Sequence, residues 1–190
     1  MSSERLRSPA SEWRLRPATA ADAASLAAFA ETMFRDTFSA ANTPDDMDAY
    51  CAGAFGEALQ RAEIEDTALS TVLAEDSGRL VGYVQFGAGD APACVSPPPA
   101  WELRRLYVAP ESKGSGLARE LTARAVSGAL AGGAASLWLG VWERNPRAIR
   151  FYEKAGFKVV GEHTFQLGRD PQRDLIMTRP ALDAGAAPAA

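Results

Sequence analysis

LRRLYVAPESKGSGLA, Leu103 to Ala118, is the stretch that decides how this chain is read. An apolar run ends in a Pro-marked turn, and a glycine-rich loop then opens a helix. Backbone N–H groups that leave such a loop at the positive end of a helix make a ready anion site. Gly114 and Gly116 remove the side chains that would hold a phosphate away. Lys113 adds a positive charge at the loop mouth. The residues from Lys113 to Arg119 (Lys113, Gly114, Ser115, Gly116, Leu117, Ala118 and Arg119) are therefore read as a cradle for a phosphate-bearing ligand, against the plainer reading of a Gly-rich turn.

Two familiar phosphate loops are excluded by the residues. A nucleotide P-loop needs four residues between its first Gly and a Gly-Lys-Ser/Thr ending, which is absent. A dinucleotide fingerprint, G-x-G-x-x-G, would open from the first strand of a βαβ unit. Gly114 and Gly116 fit two of its positions, but Arg119 stands at the third and the loop lies past mid-chain.

The pattern that fits is Lys113-x-x-Gly116-x-Ala118. It resembles the Gln/Arg-x-x-Gly-x-Gly/Ala pyrophosphate loop of the GNAT superfamily, the acetyl-CoA-dependent N-acyltransferases. A second stretch, LWLGVWERNPRAIRFYEKAGF from Leu137 to Phe157, is similar to that superfamily's later motif. Asn145, Ala148, Tyr152, Gly156 and Phe157 fall at its characteristic positions. The resemblance runs from Trp13 to about Thr178. It implies a mixed α/β fold whose mostly antiparallel central sheet is splayed in a V between the strand near Leu106 and the strand near Leu139, with flanking helices.

Composition agrees with a compact enzyme. At 190 residues the chain suits one domain with a substantial core. Apolar content of 47% and charged content of 23% are ordinary globular values. A net charge of −4 argues against nucleic acid as the main partner and suits a cationic amine. No apolar run approaches the ~18 residues that span a bilayer, and no signal-peptide core follows the Met-Ser-Ser-Glu start. Cys51 and Cys94 show neither a disulfide framework nor metal spacing, so no metal is expected. A cytoplasmic location is the default expectation.

The organisation anticipated is one domain over residues 13–179 with unstructured ends, residues 1–12 and 180–190. Trp13 to Arg16 alternates like a first strand. A helix over about 20–38 places Leu26, Phe29, Met33 and Phe34 on one face. Thr43-Pro44 opens a second helix, with Thr43 as its cap. Leu69–Glu75 and Leu80–Phe86 read as a hairpin around Asp76-Ser77-Gly78. Residues 87–100 form a Pro/Gly loop of the kind that borders binding sites. Strand, helix, strand, helix and a final hairpin complete the order.

The chemistry to be served is attack of an amine on a thioester carbonyl. A Lys-like amine has a pKa of about 10 and arrives protonated. The site must remove that proton, steady the oxyanion and help the thiolate leave. Asn145 and Tyr152 stand seven positions apart, about two helical turns, and so share a face. On the residues alone, Asn145 caps and Tyr152 packs. The resemblance implies that Asn145 contacts the pantetheine arm and that Tyr152 protonates the departing sulfur. It also implies that the backbone of Leu106, Tyr107 and Val108 bonds the pantetheine. Glu102, eleven residues before Lys113, is either the general base, as in some superfamily members, or a solvated strand-end carboxylate. A branch that acetylates protein N-termini carries its Glu five residues before the motif Asn; here that position is Gly140.

His163 is the only histidine. It reads as structural sooner than as a base. Trp138 and Trp142 share a strand face and read as core. Glu143 reads as a surface carboxylate, and Asp45, Asp46 and Asp48 as a helix start favoured by the dipole. The segment Phe165 to Met177, with VWERN, resembles the bacterial spermidine/spermine N-acetyltransferase branch. That resemblance implies acetylation of a polyamine-like small-molecule amine. Other acceptors (an amino sugar, an antibiotic, a protein lysine), a non-catalytic acyl-CoA sensor and a homodimer stay open.

Overall fold

In the computed structural model, which describes residues 13–181, a seven-stranded sheet runs in the order β1-β2-β3-β4-β5-β7-β6. Strand β1 spans Arg14–Pro17, β2 Leu69–Asp76 and β3 Arg79–Ala88. Then follow β4 at Ala100–Val108, β5 at Ser136–Trp142, β6 at Lys158–Leu167 and β7 at Asp170–Pro180. Helices α1 (Ala23–Phe38), α2 (Pro44–Ala54) and α3 (Glu57–Glu65) precede β2, α4 (Leu117–Ala131) links β4 to β5, and α5 (Pro146–Lys154) follows β5. Residues 1–12, read as an unstructured start, and 182–190 of the tail lie outside the described residues. Pro180 closes β7 and Ala181 is fully buried, so the folded chain extends two residues past the boundary expected from its breaker-rich composition.

Local chemistry explains the elements. The β2–β3 turn uses Ser77 at φ 52° and Gly78 at φ 79°. That pair of positive φ values belongs to the two-residue hairpin turns whose twist matches the strands. Thr43 accepts a hydrogen bond from the Asp46 N–H at 3.2 Å, with Pro44 at the first helical position of α2. Asn145 does the same for α5, accepting from the Ala148 N–H at 3.1 Å. The first helix starts as a single 3₁₀ turn at Ala20–Asp22, where Asp22 accepts from the Thr19 N–H at 2.8 Å. Helix α3 has no counterpart in the sequence reading, because the residues it buries are Gln60 and Glu63 rather than an apolar stripe.

All neighbouring strands are antiparallel except β4 and β5. Those two pair in parallel only at Ala100–Ser136, Trp101–Leu137 and Glu102–Trp138. Beyond Glu102 they diverge, which is the splayed centre expected. One face of the sheet carries Phe86, Leu103, Leu137, Leu139 and Met177 against Leu117, Leu121 and Ala125 of α4. Each fully buried side chain of this size contributes roughly 1.5–3 kcal/mol. The other face carries Leu73, Tyr83 and Leu167 against Leu26, Phe34, Met47 and Phe55. The fork in the sheet thus opens between two separately packed layers.

Candidate active site

The fork opens into a cavity of about 940 Å³. Leu103 to Val108 form one wall and Gly140 to Trp142 the other. Leu106, Tyr107 and Val108 keep their β3 partners, while on the β5 side β4 has no strand partner past Glu102. Backbone N–H and C=O groups on that edge are free to pair with an extended, amide-bearing chain.

The loop expected to hold phosphate closes one end. Ser112 to Gly116, Ala118 and Arg119 line the cavity. Gly114 and Gly116 take φ values of +87° and +102°, which only glycine adopts without strain. Among the described residues, the N–H groups of Gly114, Gly116, Ala118 and Arg119 have no hydrogen-bond partner. Leu117 is the exception in the segment: its side chain is fully buried in the core under α4, and its N–H is taken by the Ser115 hydroxyl at 3.3 Å. Lys113, Arg119, Arg147 and Lys154 also line the cavity, and none of the four is in an ion pair among the described residues. Four uncompensated cations beside free helix-start N–H groups fit a ligand with several phosphate charges.

Asn145 and Tyr152, at the two ends of α5, both line the cavity. Tyr152 packs edge-on against Phe151 and Phe157, with centroids 5.2 and 5.6 Å away. Burial raises its pKa well beyond the ordinary phenol value, so at neutral pH it is a donor.

The opposite wall, from α1, α2, β6 and β7, is aromatic. Tyr50 stacks on Phe34 at 4.6 Å and meets Phe165 at 5.3 Å, while Phe38 meets Trp142 at 5.8 Å. Trp138 is core, against Val95 and Ile176, as expected; Trp142 instead reaches the cavity. Arg105 lies over the Phe55 ring at 5.6 Å and donates to Glu63 and to Gln85. Arg104 is 3.7 Å from Glu102 and 4.0 Å from Glu63. Both arginines at this end are thus compensated. Asp36 and Asp174 line the same wall, and no Lys or Arg pairs with either among the described residues.

Glu102 sits at the root of the fork, outside the cavity lining, although burial raises its pKa. Glu143 pairs with Arg173 at 3.1 Å on the surface. Asp46 accepts from the Thr43 hydroxyl and the Arg169 N–H, and Asp48 accepts from Arg35, so these acids tie helix ends rather than face the cavity. Of the two cavity carboxylates, Asp36 and Asp174, neither is marked by a sequence motif; Asp174 gains its place from cross-strand register with His163 and Trp142.

Residues 28–157 match the model of the acetyltransferase (GNAT) family. An uncharacterized N-acetyltransferase of Mycobacterium tuberculosis is 34% identical over 158 residues, covering 83% of this chain and 97% of that protein. The PaiA N-acetyltransferase of Thermoplasma acidophilum, solved with coenzyme A, is 20% identical and matches with a TM-score of 0.71, covering 89% of this chain and 99% of its own. A chimera of the Vibrio cholerae spermidine N-acetyltransferase SpeG with hSSAT is 23% identical with a TM-score of 0.64, covering 90% and 96%.

Proposed function

Because the chain belongs to the acetyltransferase (GNAT) family, we propose that it transfers an acetyl group from acetyl-CoA directly to a primary amine of a polyamine-like small molecule. One observation carries this reading: a single cavity is lined by the Lys113–Gly116 loop with Ala118 and Arg119, the unpaired edge of β4, and Tyr152. The loop N–H groups and the four cations would hold the phosphates of acetyl-CoA. The free edge of β4 at Leu106, Tyr107 and Val108, together with Asn145, would align its amide-bearing arm. A backbone N–H of that edge, aimed into the fork, would steady the oxyanion.

Tyr152 is suited to be the general acid. Its hydroxyl stays protonated because burial disfavours the phenolate, so a proton is in place for the departing thiolate; since the same burial weakens the acid, the transfer depends on return of a proton from the nitrogen. The acceptor enters from the aromatic wall. Asp36 and Asp174 give that end its uncompensated negative charge, while the cations at the loop end are uncompensated in the opposite sense. This separation supports a cationic amine facing an anionic co-substrate. The likeness of fold to the spermidine N-acetyltransferase chimera is compatible with a polyamine.

The test is thiol release from acetyl-CoA by the purified protein with spermidine, spermine, diamines, amino sugars and lysine peptides. Turnover concentrated on the polyamines supports the full reading. Turnover on another class keeps the acetyltransferase and replaces the acceptor. Acetyl-CoA binding with no turnover of any amine favours a sensor.

A further inference from the structure

An ammonium acceptor must lose a proton before it can attack. The strand that carries a Glu in one branch of the superfamily carries Gly140 here, and Glu102 lies outside the cavity lining. The space beside Gly140 is filled by two other side chains. A Cβ at Gly140 would lie 2.9 Å from Nε2 of His163 and 3.5 Å from Oδ2 of Asp174. His163 and Asp174 are register partners on β6 and β7, with 3.9 Å between Nε2 and Oδ2.

Asp174 is 9% exposed, yet it lines the cavity. Its Oδ1 is buried without a hydrogen-bond partner among the described residues, and so is Nε2 of His163. Buried polar atoms are almost always satisfied, and one that is not, inside a reaction cleft, is a site for a missing proton donor. The missing side chain at Gly140 leaves room for both groups at the cavity edge. Burial raises the Asp174 carboxyl to about 6, leaving it mostly ionised at neutral pH and a better base than a free carboxylate.

We propose that Asp174 is the proton acceptor of the reaction, and that His163 is a positioning residue behind it which relays the proton toward solvent. The proposal rests on the acetyl-transfer reading. The ammonium gives one proton to the Asp174 carboxylate, leaving a neutral amine and a carboxylic acid. The amine lone pair forms the C–N bond, and the C–S bond breaks with its electron pair on sulfur. Tyr152 protonates the thiolate and is restored by the second proton of the nitrogen. The first proton leaves Asp174 through the half-exposed His163, which regenerates the carboxylate. From an amine of pKa about 10 to a carboxyl raised to about 6, the first transfer is about 10⁴-fold uphill. Burial of the ammonium among Tyr50, Trp142 and Phe165 narrows that gap.

Asp174 faces His163 of β6 and interacts with Tyr50 of α2, Glu102 of β4 interacts with His163, and Asp36 of α1 and the Glu63-paired Arg105 of β4 line the same cavity. Strand β5 contributes Gly140, Val141 and Trp142 to the cavity lining, none of them titratable.

The experiment measures kcat/KM for spermidine, and for whichever panel amine turns over fastest, between pH 5 and 10. It compares wild type with Asp174→Asn, His163→Gln and Glu102→Gln, with acetyl-CoA affinity and thermal stability taken in parallel. Wild type should show an ascending limb near pH 6. Asp174→Asn should lose that limb and about 10²–10⁴-fold in kcat/KM, with acetyl-CoA affinity unchanged and melting temperature held or raised. His163→Gln should keep the limb but displace it, with a smaller loss in rate. A limb and rate preserved in Asp174→Asn, or a limb erased by Glu102→Gln instead, overturns the proposal while leaving acetyl transfer intact. Absence of amine-dependent thiol release in wild type overturns acetyl transfer and this proposal together.

Discussion

Gly128 of α4 lays its bare Cα against the Phe86 ring of β3, so closely that a Cβ there would lie 2.4 Å from Cε2 and 2.5 Å from Cζ. This contact sets how near α4 approaches the sheet, and hence where its N-terminal loop stands at the fork. In an exposed helix interior, replacing Gly by Ala gains about 1 kcal/mol. Here the steric term reverses the sign, because an aromatic ring buried in the core has nowhere to retreat. Gly128→Ala should destabilise the protein by about 1–3 kcal/mol, read as the shift in a urea unfolding midpoint. A gain in stability would show that α4 can lift off the sheet freely.

At the loop itself the penalty is conformational. Nothing lies closer than 3.8 Å to a Cβ built at Gly116, but its φ of +102° is unfavourable for any L side chain. Gly116→Ala should cost about 1–2 kcal/mol of stability. It should also weaken acetyl-CoA binding at least tenfold, because the cradle N–H groups lose their aim. Calorimetric titration with acetyl-CoA reads the second effect directly, and unchanged affinity would remove the loop from the binding site.

Arg16 clamps the start of α1 to the sheet, bonding Asp22 at 2.7 Å and Glu75 at 2.6 Å. The guanidinium holds the Asp22 carboxyl well below the usual carboxylate range, with further hydrogen bonds from Thr19. A depressed folded pKa gives stability that is present above the unfolded value of 3.8 and lost as pH falls below it. Arg16→Met should therefore destabilise by about 1–3 kcal/mol at pH 7, with the gap to wild type closing as pH drops below about 4. Denaturant midpoints measured at pH 7, 5 and 3 check this. A gap that persists unchanged at pH 3 would assign the effect to packing of the Arg16 stem.

The parts of the site that were legible in the sequence are those whose determinants are local. A glycine loop between an apolar run and a helix declares itself, as does an Asn-Pro cap with a Tyr two turns on. The same holds for the Ser77-Gly78 turn. What escaped depends on contacts between distant residues. Helix α3 buries Gln60 and Glu63, and Glu63 bonds Arg105 of β4 and Gln85 of β3; no apolar periodicity announces such a helix. Asp174 gains its place from the β5–β7–β6 register and from the missing side chain at Gly140. Glu102 has the right offset from the loop, but the strands are still paired at that point, so the fork begins one residue too late to bring it into the cavity lining. Leu117 lies within the loop motif, yet the helical period turns its side chain into the core.

Acetyl transfer in this cavity with Tyr152 as the acid stands or falls on Tyr152→Phe. The variant keeps the ring packed between Phe151 and Phe157 and removes only the hydroxyl. Wild type should show amine-dependent thiol release, while the variant should lose about 10²-fold or more in kcat and keep an acetyl-CoA Kd within a factor of about 2 of wild type. Equal kcat in the two proteins, or a loss of acetyl-CoA affinity matching the loss of rate, would contradict it.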